Sequence, residues 1–151
     1  MVEQLEGFVD GVGGDFVVMG SEALAAAQAG KVAPWTDAVP ELSNSHVTVF
    51  RDAYPVTEGH LLFVPRANTD ESVVVAMGMA LLIGRQMVQN NQCDAFNVGI
   101  NMGTAAGQTV MYPHVHLIPR IHGDTPDPVG GVRGVIPGQA NYKTSTYQQP
   151  Q

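Results

Sequence analysis

Apolar and polar residues begin to alternate in the chain at His46. Val47, Val49 and Arg51 fall on one side of an extended backbone and Thr48, Phe50 and Asp52 on the other, until Tyr54-Pro55 interrupts the run. Residues 60–65 (His-Leu-Leu-Phe-Val-Pro) form a second, mostly apolar strand closed by proline, and the turn Val56-Thr57-Glu58-Gly59 joins the two as an antiparallel pair. Two more strands are expected over residues 95–101 and 111–120, separated by the turn-rich stretch 102–108. Between the two pairs, residues 69–92 read as the one long helix. Thr69 is a good N-cap, and Asp70 and Glu71 place negative charge at the positive end of the helix dipole.

Helical spacing puts Val73, Val74, Met77, Ala80, Leu81, Met87 and Val88 on one face of this helix. Val75, Met79, Leu82 and Ile83 cover much of the opposite face. A helix apolar on both sides packs on both sides, and one small sheet covers only one of them. The face formed by Val75, Met79, Leu82 and Ile83 is therefore expected to meet a second copy of the chain in a homodimer.

The ends carry weaker patterns. Ser21 is placed to cap a short helix through the alanine run 23–29, stopped by Gly30, with Pro34 and Pro40 marking irregular chain around Trp35. From His122 the chain is rich in Gly and Pro and reads as an extended arm. The fold class is α+β: an antiparallel sheet, one principal helix and a Gly/Pro-rich C-terminal arm. An N-terminal segment 1–45 belongs to the same domain as the core 46–137, and 138–151 forms a tail.

Composition narrows the functions. A chain of 151 residues, 44% apolar and 14% charged, is sized for one domain with a real core. Its net charge of -7 argues against general nucleic-acid or anionic-membrane binding. A small phosphorylated ligand stays open, because backbone N–H groups, His and one or two Arg suffice to hold it. The single Cys93 excludes an internal disulfide and a multi-Cys zinc site, and reads as a buried hydrophobe in a reducing compartment. No N-terminal stretch combines a basic start with an apolar run and no apolar segment reaches membrane-spanning length, so a cytoplasmic protein is expected.

The chemistry concentrates between Asn101 and Arg120. On a strand, Tyr112, His114, His116 and Ile118 point to one side, and Met111, Pro113, Val115 and Leu117 to the other. Two imidazoles at that spacing can bind a metal. They can also present one ring as a nucleophile and the other as a phosphate donor, or stand as half-exposed histidines with no joint role. Gly107, which permits close backbone approach, and the polar Gln108 and Thr109 just upstream favour a shared pocket.

Gly107-Gln108-Thr109-Val110, then alternating His and apolar residues, then Ile118-Pro119-Arg120, resembles the signature of the histidine-triad superfamily. The stretch from Asp52 to His60, with Val64-Pro65-Arg66 after it, resembles that family's first block. Gly123-Asp124 and Gly130-Gly131-Val132-Arg133 resemble the tail of its bacterial dinucleoside polyphosphate hydrolase-like members.

The resemblance implies a nucleotide hydrolase acting on a phosphoanhydride or phosphoramidate at the α-phosphorus through a nucleotidyl-histidine. His114 falls on the nucleophile, His116 on the phosphate-holding histidine, and Tyr112 on the first histidine of the triad, which is thus replaced. His60 matches a histidine that orients the nucleophile, and Asp52 the residue that binds the ribose hydroxyls. Asn101 and Gln108 match residues lining the phosphate path, and Thr109 one that assists the leaving group. In this reading His116 is expected to be charged beside a phosphate, and Tyr112 to face the pocket, so that Tyr112→His is tolerated. No bound cofactor is implied, although Mg²⁺ can accompany the substrate phosphates. Two alternatives are a nucleotide-binding module with little turnover, and a zinc site built on His60, His114 and His116. Trp35 is assigned to packing of the N-terminal segment.

Overall fold

The computed structural model describes residues 22–146 and Pro150. Ser21, the expected helix cap, lies outside the described residues. The first helix, α1 (Ala23–Ala29), instead follows Glu22, which makes no capping bond through its side chain. Four antiparallel strands, β1 (Val47–Arg51), β2 (Leu61–Pro65), β3 (Ala95–Ile100) and β4 (Val115–Arg120), lie in the order β1-β2-β4-β3. The long helix α2 (Asp70–Gln89) crosses one face of this sheet. As expected, the Thr69 hydroxyl accepts the Ser72 backbone N–H at 3.2 Å and caps the helix.

The alternation read in β1 and β2 divides the core in two. Val47, Val49, Leu61 and Phe63 meet Val115 and Leu117 beneath α2, whereas Phe50, Leu62 and Val64 point the other way. There they pack with Leu24, Ala27, Ala33 and Tyr112. The two helix faces are reversed from expectation. The buried side is Val75, Ala76, Met79, Ala80 and Ile83, on the sheet, while Val74, Met77 and Leu81 stand partly exposed. Both stripes are apolar, so periodicity identified them without saying which one meets the sheet. Gly84 settles the fit, because a Cβ there would come within 2.6 Å of the Phe96 ring on β3. Against expectation, this 20-residue helix has the length and mean hydropathy (1.4) of a membrane span, but it is a core helix with one side packed on the sheet.

Strand β4 starts at Val115, four residues later than expected. Pro113 has no N–H for a ladder, and the Gln108 side-chain amide occupies the carbonyls of Val110 and Met111 at 3.0 and 3.2 Å. Beyond the sheet the C-terminal arm is more regular than expected. It forms a 3₁₀ turn, Gly131–Val135, beside β3, and Arg133 Nε there donates to the Ala140 carbonyl.

Candidate active site

The sheet face away from α2 carries the histidines. His116 lies on β4 opposite Gly99 of β3 and Leu62 of β2. His60 stands just before β2, and His114 just before β4. A cavity of about 470 Å³ opens above them, lined among others by Trp35, Asp52, Asn101, Gly107, Thr109, His114 and His116.

The hydrogen bonds assign each ring's protons. The carbonyl of Tyr112 only accepts, so His114 Nδ1, 2.9 Å away, donates its N–H to it and leaves Nε2 with a lone pair. The Val56 backbone N–H donates to His60 Nδ1 at 3.2 Å, so the His60 proton sits on Nε2. That N–H donates to His116 Nδ1 at 2.9 Å, which places the His116 proton on its own Nε2. His60 thus orients His116, and not His114 as expected. His114 and His116 are neighbours, with ring centroids 5.2 Å apart.

The fold by itself favours the neutral form of His116. Burial pushes its pKa down to about 4, helped by His114 and His60 and opposed by Asp52. His60 is lowered too, by burial, against the same Asp52 carboxylate at 3.4 Å. Asp52 is partly committed, since its other oxygen accepts the Tyr54 N–H at 2.8 Å. Asp52, His60 and His116 do present donor atoms within 4.8 Å of one another, a triangle different from the expected set of three histidines. To ligate a cation, however, His60 would have to give up its Nε2 proton while Nδ1 still accepts from Val56.

Two expected site residues work differently. Gln108 is buried, with its side-chain oxygen on the Gly103 N–H at 2.7 Å and its nitrogen on Val110 and Met111. It pins the loop and has no amide hydrogen left for a phosphate. Tyr112 does not line the cavity. Its ring is buried in the second core and its hydroxyl donates to the Pro65 carbonyl at 2.6 Å, while burial pushes its pKa up to about 12. What Tyr112 offers the site is its backbone carbonyl, on which His114 rests. Gly107 takes the left-handed conformation, φ +89°, and an added Cβ would meet no atom within 4 Å, so conformation is what selects glycine there. Thr109 is exposed at the cavity wall, and Asn101 is half-buried beside His116.

Trp35 is the residue that sequence reasoning missed. Its ring packs on Phe50 and Tyr112, as a structural residue would, but it also lies 4.8 Å from the His114 ring and walls the cavity. A single Trp before the first strand carries no periodic signal, and only the return of residues 33–39 across β1 brings it there.

Known proteins share this architecture. The Arabidopsis thaliana adenylylsulfatase HINT3 is 38% identical over 76 residues, 46% of this chain and 39% of that protein. An uncharacterized 16.1 kDa HIT-like protein of Mycoplasma pneumoniae is 32% identical over 51% of this chain and 58% of its own length. The chain thus spans well under two thirds of each. Among solved structures, a zinc-bound histidine triad family protein from Mycobacterium smegmatis superposes with a TM-score of 0.54 at 27% identity, covering 72% of this chain and 86% of that one. A HIT family protein from Bacillus anthracis gives 0.51 at 26%, over 73% and 77%. The family model described as HIT domain matches residues 41–123, more than half of the sequence, and the chain belongs to that family.

Proposed function

We propose that the protein is a nucleotide hydrolase that cleaves a phosphoanhydride or phosphoramidate at the α-phosphorus through a nucleotidyl-His114 intermediate. The observation that carries this reading is the pairing of opposite roles on adjacent rings. His114 is fixed by the Tyr112 carbonyl with Nε2 unprotonated, and His116 is fixed by His60 with Nε2 protonated. The first is a nucleophile and the second a donor for a phosphate oxygen. The name adenylylsulfatase of the Arabidopsis relative supports an adenylyl group as the part held in the cavity.

In the first step His114 Nε2 bonds to phosphorus and the bond to the leaving group breaks. The leaving atom keeps the bonding pair and takes a proton from the medium. In the second, water adds hydroxyl to phosphorus, releases the nucleotide from His114 and returns a proton. The developing imidazolium is stabilised through Nδ1–H on the Tyr112 carbonyl. Trp35 supplies an aromatic wall for the base and Asp52 an acceptor for the ribose. Mg²⁺, if it takes part, arrives with substrate phosphates.

The test is brief mixing with α-labelled adenosine 5′-phosphoramidate or diadenosine triphosphate. Acid-labile label is expected on the wild type and not on His114→Ala, whose turnover should drop on the order of 10⁴–10⁶-fold. Retention of more than a few per cent of turnover would remove His114 as the nucleophile.

A further inference from the structure

The cavity above the histidines extends past the groups that the proposed reaction uses. Along its wall His116 is followed by Asp52, whose carboxylate lies 4.0 Å away, then by Arg51, its neighbour in the chain, and by Asp37. Backbone pairing fixes the last two. The Arg51 N–H donates to the Asp37 carbonyl at 2.8 Å, and the Ala38–Phe50 bridge continues that pairing. Trp35, 4.8 Å from the His114 ring and two residues before Asp37, connects the histidine end of the cavity to this one.

The ion pair between Arg51 and Asp37 is loosely made. One Nη1···Oδ1 contact of 3.1 Å joins side chains that are 53% and 64% exposed. Among the described residues, the second Asp37 oxygen and the Nε and Nη2 of Arg51 have no other partner. An ion pair in water contributes little to stability, so the fold gains little by holding one here. Its free atoms set a donor beside two acceptors in the wall of a cavity.

Charge decides which way round a nucleotide lies. Asp37 and Asp52 outnumber Arg51 at this end and repel phosphate, which leaves the base here and the phosphate with the histidines. With Asp52 on the ribose and Trp35 against the base, the outer edge of the base meets Arg51 and Asp37. Guanine presents there the acceptor O6 and then the donors N1–H and N2–H. O6 accepts from Arg51, and the two N–H groups donate to the two Asp37 oxygens, bonds strengthened by the charge of the acceptor. Adenine has an amino group where guanine has O6 and a lone pair at N1, which would face the carboxylate. Turned over, it makes one bond to each partner. Hypoxanthine keeps O6 and N1–H and lacks the N2 amine.

We infer that Asp37 and Arg51 select the base, and that the protein prefers a guanine nucleotide to an adenine one. The inference rests on the proposed hydrolase reading and narrows its substrate to guanosine 5′-phosphoryl compounds. An adenylyl group is accepted with one hydrogen bond fewer.

The experiment titrates GMP, IMP and AMP by calorimetry into wild type, Asp37→Ala and Arg51→Leu, and so needs no turnover. Wild type should bind GMP at least about fivefold more tightly than AMP, with IMP between them. That is well short of what a buried polar site achieves, because both side chains stand half in water. In Asp37→Ala the three affinities should converge to within about twofold. Arg51→Leu should weaken GMP and IMP, which share O6, by a common factor of at least about three. A purely structural role would lower all three nucleotides equally in Asp37→Ala and leave their ratios intact, which would overturn the inference. Equal binding of GMP and AMP by wild type, or an unchanged GMP affinity in Arg51→Leu, would overturn it as well. So would an absence of binding by all three, the hydrolase reading then being decided by the label on His114. A guanine preference in binding without turnover of guanosine 5′-phosphoramidate would sink the hydrolase reading and leave base selection standing.

Discussion

Replacing Tyr112 by phenylalanine separates support from chemistry. The ring is 6% exposed, and its hydroxyl donates at 2.6 Å to the carbonyl of Pro65, a residue less than 2% exposed. Tyr112→Phe keeps the ring in contact with the second core but leaves that carbonyl without its side-chain partner. An unsatisfied buried polar group of this kind costs about 1–3 kcal/mol. For a domain of this size that corresponds to a Tm lower by about 3–10 °C. Turnover below the transition should stay within a few fold, because His114 rests on the backbone carbonyl of Tyr112, which the substitution retains. Tyr112→His should be more damaging, since it leaves a gap among Phe50, Leu62 and Val64 and buries a ring nitrogen, contrary to the tolerance expected from sequence. Thermal unfolding and turnover measured on the same preparations decide the matter. An unchanged Tm in Tyr112→Phe with a tenfold loss of turnover would show that the hydroxyl acts in the reaction and that its place in the core is misjudged.

Three further outcomes are expected. Gln108→Glu removes the donor to Val110 and Met111, so it should lower stability by about 1–3 kcal/mol and reduce kcat more than it raises KM, as read by urea unfolding and steady-state kinetics. His116 has its pKa lowered in the fold, so stability is full above about 6.5 and declines toward pH 4, as the unfolded chain takes up a proton that the folded one refuses. Tm against pH should therefore slope less over that window in His116→Gln, and parallel slopes would refute the assignment. Exposed Val74, Met77 and Leu81 fit a homodimer contact, so sedimentation should give a dimer mass that Leu81→Arg converts to monomer, and a monomeric wild type at micromolar concentration would end that idea.

Local pattern determined the elements. Alternation in residues 47–51, the apolar run ending at Pro65 and the Thr69 cap each depend on near neighbours, and each stands within a residue or two of where the sequence places it. The motif around His114 and His116 marked the chemistry for the same reason, since a two-residue spacing on extended chain survives any packing. What depends on distant partners was not legible. Which apolar stripe of α2 faces the sheet is decided by steric fit, including the contact of Gly84 with Phe96. Whether Gln108 serves a ligand or its own loop depends on which carbonyls come within 3.2 Å of it. Tyr112 turned into the core because Pro113 ends the strand early and the Pro65 carbonyl, 47 residues back in the chain, accepts its hydroxyl. Trp35 reached the site through the antiparallel return beside β1, and the neutrality of His116 through its burial among other rings. Backbone propensity and spacing act over a few residues, whereas protonation, side-chain partners and cavity walls are set by atoms that only the folded chain brings together.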